Sequence, residues 1–399
     1  MNVFNVRNCP ICGSSDFSEI MAVERAPKFH VISTATELSD DLFGKVRLVE
    51  CEFCGHLFNN AVEINEVNPG HGSYSTNAPV SQSMFDRRQQ TLEFLSGNGE
   101  KKLAVLEVGG GSGALSAAFA ESKNSVTMLE PELIVDTARL EKLGVRIIQD
   151  VWPTDQLLGE KFDLILCVQV LEHTAQPREF LLELAEHLHD SGKIYMEIPS
   201  GDFVKKHGSV ADINYPHWNY FTETIVQKLV AECELNILKR RELINGHDIG
   251  YVLQNQMHKS DYSVAVPFQN FEITKLTKSL KYAQQKIKSW NGNIRYAFYG
   301  STTQSQAVFG SVSGCQPKFI FDATPAYHDA VAYNSEFRFP IVQLTAQNLA
   351  AVDVIVICAY VHDQSISEKI RDIGFTGEIY SLRPPSDPSG KVKSLFSKN

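Results

Sequence analysis

A strand-to-helix turn with glycines at alternate positions constrains this chain more than any other stretch: Val105-Leu106-Glu107-Val108-Gly109-Gly110-Gly111-Ser112-Gly113, followed by an Ala-rich helix. Glycine is needed where the backbone turns tightly from strand to helix and where a ligand must reach main-chain N–H groups without a Cβ in the way. A second apolar strand, Val126-Thr127-Met128-Leu129, ends in Glu130, where an acid can accept both ribose hydroxyls at the mouth of a sheet. The spacing is Gly-x-Gly-x-Gly rather than the dinucleotide pattern Gly-x-Gly-x-x-Gly, and no third glycine stands where a pyrophosphate-binding helix packs on its strand. The residues therefore predict an S-adenosylmethionine pocket rather than a nicotinamide one, the alternative being a glycine-rich turn that serves only the fold.

The same unit continues downstream. Phe162 to Val168 is an unbroken apolar strand, and Val170-Leu171-Glu172-His173-Thr174 follows it. An amphipathic helix is expected from Pro177 to His189, with Pro177 in the first turn, where its missing N–H costs nothing. Gly192-Lys193 is read as a turn into the strand Ile194 to Ile198. Alternating strands and helices predict an α/β fold, a doubly wound sheet with ligands at the carboxyl ends of its strands. With its glycine loop, Glu130 and the Val-Leu-Glu-His segment, the chain resembles the class I S-adenosylmethionine-dependent methyltransferases. That resemblance implies a cofactor set of Glu107, Gly109, Gly111, Gly113, Glu130 and Gln169.

With 399 residues, 43% of them hydrophobic, the chain can bury more than one core. No apolar run approaches the roughly 18 residues of a membrane span, and the polar start carries no signal-peptide pattern. A soluble, cytoplasmic protein without a membrane partner is expected. The formal charge of −10 argues against a nucleic-acid partner, since such surfaces are usually basic.

Four of the eight cysteines fall in the first 54 residues, as Cys9-Pro10-Ile11-Cys12-Gly13 and Cys51-Glu52-Phe53-Cys54-Gly55. Two such knuckles present four thiolates tetrahedrally, each glycine allowing the tight turn after the second sulfur, and predict a structural Zn²⁺ held by Cys9, Cys12, Cys51 and Cys54. Disulfides or redox motifs are the alternative, disfavoured because an intracellular chain keeps its thiols reduced and neither pair opens a βαβ helix. Cys167, Cys233, Cys315 and Cys358 are isolated and read as small buried hydrophobes.

A turn-rich linker, Asn68 to Met84, leads into a helix from Phe85 to Leu95, and a Tyr in such a linker can reach across the open end of the sheet. Beyond the fifth strand, the loop Asp212-Ile213-Asn214-Tyr215-Pro216-His217-Trp218-Asn219-Tyr220-Phe221-Thr222 crowds aromatic and His residues together. It is expected to form a substrate wall, with His217 as a general base or as a His that only bonds its neighbours. Thr222 is placed to cap the helix that follows. The last hundred residues repeat the α/β theme, with a long helix from about Phe268 to Trp290 and strands at Ile294–Tyr299, Lys318–Phe321 and Asp353–Cys358. Ser301, Thr302 and Thr303 after Gly300 either receive a phosphate or cap their helix.

Seen whole, the order of modules resembles the zinc-containing sugar C-methyltransferases that act on nucleotide-linked deoxysugars. It divides the chain into a zinc-binding module at 1–67, a methyltransferase domain at 68–265, a smaller C-terminal Rossmann-like α/β domain at 266–385 and a tail at 386–399. The segment Tyr74-Ser75-Thr76-Asn77-Ala78-Pro79-Val80-Ser81-Gln82-Ser83-Met84 looks like that family's substrate-side Tyr followed by Ser and Met near the cofactor. Tyr299-Gly300-Ser301-Thr302-Thr303 and Cys358-Ala359-Tyr360-Val361-His362-Asp363 look like its two C-terminal signatures. Pro216 stands where the family has Glu before the His, and Pro199-Ser200 stands in place of Pro-His. The resemblance implies a small-molecule substrate, a nucleotide-linked keto sugar, with His217 removing a proton α to the ketone and Tyr74 or Tyr220 donating to the developing oxyanion. Ser81 and Met84 would face the cofactor. Oxygen methylation of a glycosyl or other small molecule would use the same base. A zinc-bearing RNA-base methyltransferase should be basic, and a non-catalytic scaffold would not need the intact cofactor residues.

Overall fold

The computed structural model describes residues 7–32, 38–61, 82–95, 102–131, 137–256, 274–328, 330–387 and 391–398. Strands β1 (Phe17–Pro27), β2 (Phe43–Cys51) and β3 (Leu57–Asn59) open the chain, and helix α1 (Gln82–Leu95) follows. The middle of the chain runs β4 (Ala104–Val108), α2 (Ala114–Glu121), β5 (Ser125–Leu129), α3 (Thr137–Lys142), β6 (Arg146–Ile148), β7 (Phe162–Val168), α4 (Pro177–Glu186), β8 (Leu188–Pro199), α5 (Gly201–His207), β9 (Asn219–Tyr220), α6 (Glu223–Glu232), β10 (Leu235–Leu243) and β11 (Asp248–Asn255). The last part holds α7 (Thr274–Trp290), β12 (Tyr296–Tyr299), α8 (Thr303–Ser311), β13 (Ile320–Phe321), β14 (Val331–Tyr333), β15 (Arg338–Val342), α9 (Ala346–Leu349), β16 (Val354–Ile357), α10 (Asp363–Asp372), β17 (Glu378–Ser381) and β18 (Lys393–Ser394).

The central sheet has the order β10-β11-β8-β7-β4-β5-β6. Its five strands from β8 to β6 are parallel, and β11 and β10 add an antiparallel edge. The chain leaves β4 towards β5 and β6, then returns to the other side of β4 as β7, so the sheet changes direction at β4 and β7. In doubly wound sheets ligands bind at the carboxyl ends of the strands flanking such a point. Alternation along β4 and β7 divides the packing. Leu106, Val108, Ile165 and Cys167 join the core on one face, while Val105, Leu164 and Leu166 join that on the other.

Several local expectations change. The helix after Pro177 ends at Glu186, and β8 already begins at Leu188, so Gly192 lies inside a strand rather than in a turn. Its role is close approach: a Cβ there would stand 2.7 Å from the Phe162 carbonyl oxygen. The helix leading to Trp290 is described from Thr274 onwards. Residues 391–398, expected as part of a tail, belong to the C-terminal sheet instead. Strand β18 pairs with β17, and Leu395 and Phe396 are fully buried.

Two further sheets flank the central one. The C-terminal sheet, β14-β15-β13-β12-β16-β17-β18, is parallel from β15 to β18 and reverses at β12 in the same way. The N-terminal sheet is antiparallel, β1-β2-β3-β9, and its last strand comes from the loop carrying His217. One core joins Leu48 and Leu57 to Tyr220 and on to Phe298, Phe309 and Phe396, while Cys9, Val49 and Phe58 pack with the central sheet. The N-terminal module is thus wedged between the two α/β units. Among the described residues no helix is long and apolar enough to cross a membrane.

Candidate active site

At the end of β4 the backbone enters the left-handed region three times, at Gly109 (φ 70°), Gly111 (φ 50°) and Gly113 (φ 66°). Side chains rarely adopt this conformation. Space is a second constraint at Gly109, where a Cβ would lie 2.5 Å from Val170 Cγ2. The loop after β4 is therefore seated directly against the segment after β7. The Gly111 amide donates to Glu130 Oε2 at 2.7 Å, which brings the acid at the end of β5 onto the glycine loop. Glu107 accepts from the Ser116 amide at 2.8 Å and from the Ser116 hydroxyl, which ties β4 to helix α2. Burial pushes its carboxyl up to about 7.

Gln169 follows β7 in the left-handed region, at φ 57°, a conformation uncommon and costly for a side-chain-bearing residue. Its Nε2 is buried without a hydrogen-bond partner. An orphaned donor at the switch point, the glycine loop and the acid on β5 together fit an adenosyl cofactor. Ser81 and Tyr74 lie outside the described residues; Met84 lies in α1, and its side chain is likewise outside them.

The segment expected to be a substrate wall is largely buried: Asp212, Tyr215, Trp218, Asn219, Tyr220 and Phe221 are all nearly inaccessible. Its backbone pairs with the N-terminal sheet, Tyr220 opposite Leu57, and Arg7 clamps it. The Arg7 guanidinium donates to the carbonyls of Asn59, Trp218 and Ala175, and burial lowers it to about 10. The Tyr220 hydroxyl donates to the Asn214 carbonyl at 3.5 Å, and burial drives that phenol well above its usual range. His217 remains partly exposed. Its amide donates to Asn214 Oδ1 at 3.2 Å, and its ring lies 5.0 Å from that of His173 and 6.3 Å from that of Tyr220.

The structure adds two residues that the sequence reading treated only as a family mark. Glu172 and His173 lie in the 3-10 turn Leu171–His173 after β7, and donor atoms of Glu172, His173 and His217 lie within 4.8 Å of one another. His173 Nδ1 donates to the Pro216 carbonyl at 2.7 Å, tying the turn to the His217 loop. Glu172 is 1% exposed, and neither of its carboxyl oxygens has a hydrogen-bond partner. Burial drives that carboxyl well above the ordinary range. The chemical signal in the sequence was the adjacent Glu-His pair after an apolar strand; its closeness to His217 is a product of the fold.

In the N-terminal module the sulfurs of Cys9, Cys12, Cys51 and Cys54 also lie within 4.8 Å of one another. Cys9 and Cys54 are 3.6 Å apart, and Cys12 and Cys51 3.5 Å. These separations are far from a disulfide bond of about 2.05 Å. They are close to the roughly 3.75 Å edge of a tetrahedron with metal–sulfur bonds of about 2.3 Å. Gly13 and Gly55 take φ values of 72° and 74° and donate back to the Cys9 and Cys51 carbonyls. Cys167, Cys233, Cys315 and Cys358 are all buried and unbridged.

In the C-terminal domain, Thr302 and Ser305 form a reciprocal cap on α8. The Ser301 amide donates to Asp322 Oδ2 at 2.7 Å, and its hydroxyl donates to the His30 carbonyl. A carboxylate already sits where a phosphate would bind, so these residues cap and lock the loop.

Residues 82–240 match the family model described as a methyltransferase domain. That stretch holds the five parallel strands of the central sheet, the glycine loop and the acid on β5, and it is a methyltransferase domain. Among curated relatives, the ubiquinone biosynthesis O-methyltransferase of Rickettsia prowazekii is 31% identical over 99 residues, 24% of this chain and 39% of that protein. The protein of the same name from Xanthomonas axonopodis pv. citri is 35% identical over 113 residues, 26% of this chain and 47% of that protein. The chain thus spans less than half the length of these two relatives. A solved structure of 1,6-didemethyltoxoflavin-N1-methyltransferase from Burkholderia thailandensis is 18% identical and covers 44% of this chain and 78% of its own, with a TM-score of 0.36, too low to bear on function.

Proposed function

We propose that the chain is an S-adenosylmethionine-dependent methyltransferase acting on a small molecule, a nucleotide-linked keto sugar methylated at carbon. The observation that carries the reading is the meeting of His217 with His173 and Glu172 beside Val170, which itself touches the glycine loop. Glu130 and the loop amides would hold the adenosyl ribose, and Gln169 Nε2 offers the cofactor a donor. The cofactor supplies an electrophilic methyl group on a sulfonium. His217 takes the proton from the acceptor, and the Asn214 and Pro216 contacts fix where it stands.

The Cys9, Cys12, Cys51 and Cys54 cluster is read as a structural Zn²⁺ site, closed by its four thiolates. A second reading, methylation at oxygen, is favoured by the names of the two relatives and by Pro216 standing where the sugar C-methyltransferases have Glu. Product analysis by mass spectrometry, with labelled methyl donor and candidate nucleotide keto sugars, tests both. Label on a ring carbon supports the first, label lost with an O-methyl fragment the second, and no transfer to any nucleotide sugar counts against the substrate class.

A further inference from the structure

We propose that Glu172, His173 and His217 form a site for one divalent cation beside the glycine loop, with positions left open for oxygen atoms of the acceptor. The Pro216 carbonyl can only accept, so in the neutral His173 ring Nδ1 carries the hydrogen and Nε2 the lone pair. That lone pair stands 3.9 Å from Glu172 Oε1. Two acceptors confront each other across this gap, and neither Glu172 oxygen meets a donor among the described residues.

A proton shared between them does not resolve the confrontation, because 3.9 Å is too long for a hydrogen bond. A metal ion does: two metal–ligand bonds of about 2.1 Å can span up to about 4.2 Å.

The supporting contacts are those of a metal site. A ligating imidazole ordinarily donates its other N–H to a carbonyl or carboxylate, as His173 does to Pro216. The same peptide continues into His217, whose amide is held by Asn214. Two imidazoles and one carboxylate suit Mn²⁺, Fe²⁺, Co²⁺ or Zn²⁺ with vacant positions, unlike the closed set of four cysteines. The existence of the site does not depend on the acceptor; its part in transfer rests on the function proposed above. With an ion on its ring, the base role proposed above for His217 passes to the ion, which lowers the pKa of an acceptor oxygen; proton removal by the His217 ring belongs to the metal-free chain.

The test is titration of Mn²⁺ into the full chain supplied with a single equivalent of Zn²⁺ for the four cysteines, without cofactor or acceptor, followed by loss of the free-ion electron paramagnetic resonance signal. One Mn²⁺ per chain is expected, with affinity at least about tenfold weaker in Glu172→Gln and in His217→Gln. Should Glu172→Gln fail to fold by circular dichroism, the partly exposed His217→Gln carries the test. No Mn²⁺ bound by wild type at about 1 mM, or equal affinity in wild type and His217→Gln, overturns the site. Because the readout involves no methyl transfer, such a failure leaves the proposed function standing, and inactivity on nucleotide sugars with Mn²⁺ bound counts against the substrate alone.

Discussion

The amide of Gly111 donates to Glu130 Oε2 at 2.7 Å, so the acid on β5 is held over the loop on β4. Glu130→Ala removes the acceptor proposed for the ribose hydroxyls and frees the Gly111 amide. Hydrogen bonds to a charged group are worth about 1.5–3 kcal/mol each, or roughly 10- to 150-fold in affinity. Calorimetric titration with S-adenosylmethionine measures this; affinity within about twofold of wild type would show that the ribose is held elsewhere.

Gly109→Ala is expected to destabilise the protein by about 1–3 kcal/mol, the cost of a left-handed non-glycine residue, with a further penalty for the contact with Val170. Adding Val170→Ala should recover the steric part and leave the conformational part. Urea unfolding of the single and double variants separates the two; full recovery would show that the backbone conformation carries no cost.

Elemental analysis should return about one zinc per chain, and Cys51→Ser should lose it together with order in the N-terminal sheet. A metal-free wild type of unchanged stability would remove the zinc assignment. Amide exchange at Asn219 and Tyr220 is the sharper reading, because β9 pairs with β3 and should loosen along with it.

His217→Ala should leave cofactor affinity nearly unchanged and lower turnover by roughly 10²–10⁴-fold, the range for loss of acid–base assistance. Solvent deuterium exchange into a keto-sugar substrate without methyl donor isolates carbon chemistry. Exchange that vanishes in His217→Ala supports it, and methylation on oxygen with no exchange in wild type defeats it.

His247 gives a dependence on pH. Burial alone would depress its imidazolium, but Asp248 at 2.7 Å and Asp212 at 3.2 Å outweigh burial and hold it well above 6.5. A raised folded-state pKa means that the ion cluster stabilises fully below the unfolded value of about 6.5, and that this contribution is lost as pH rises through the folded value. Tyr360 of the C-terminal domain donates to the same Asp212 at 2.9 Å, so docking of that domain should weaken over the same window. His247→Gln should cost about 3–5 kcal/mol near neutrality, as breaking a buried ion pair does, and should flatten the alkaline fall in thermal midpoint. An unaltered fall would assign it to other groups.

What could be read from sequence was local. The glycine loop, Glu130 and the two cysteine knuckles announce themselves because backbone conformation and ligand spacing are set within a few residues. Thr222 as a cap and Pro177 in a first turn follow for the same reason, and both are found there. What could not be read depends on partners far along the chain. Two-residue strands such as β9 and β18 carry no periodicity, so nothing in Asn219-Tyr220 or Lys393-Ser394 foretells pairing with Leu57-Phe58 or Tyr380-Ser381. Arg7 looks like any surface cation until its three carbonyl partners, up to 211 residues away, are in place. Glu172 and His217 are 45 positions apart, and only the seating of the loop before β9 on the turn after β7, where the Trp218 amide donates to the Glu172 carbonyl, brings them together.

The pairing of Leu57 with Tyr220 also sets where this protein can be cut. A fragment covering residues 82–240 alone would leave β9 as an unpaired edge, with the apolar surfaces once covered by Phe58 and Val49 open to solvent and to other copies of itself. Recombination that replaced the first sixty residues with an unrelated sequence would remove the backing of the His217 loop. For expression and engineering, the indivisible piece therefore begins with the cysteine knuckles, well upstream of the methyltransferase domain.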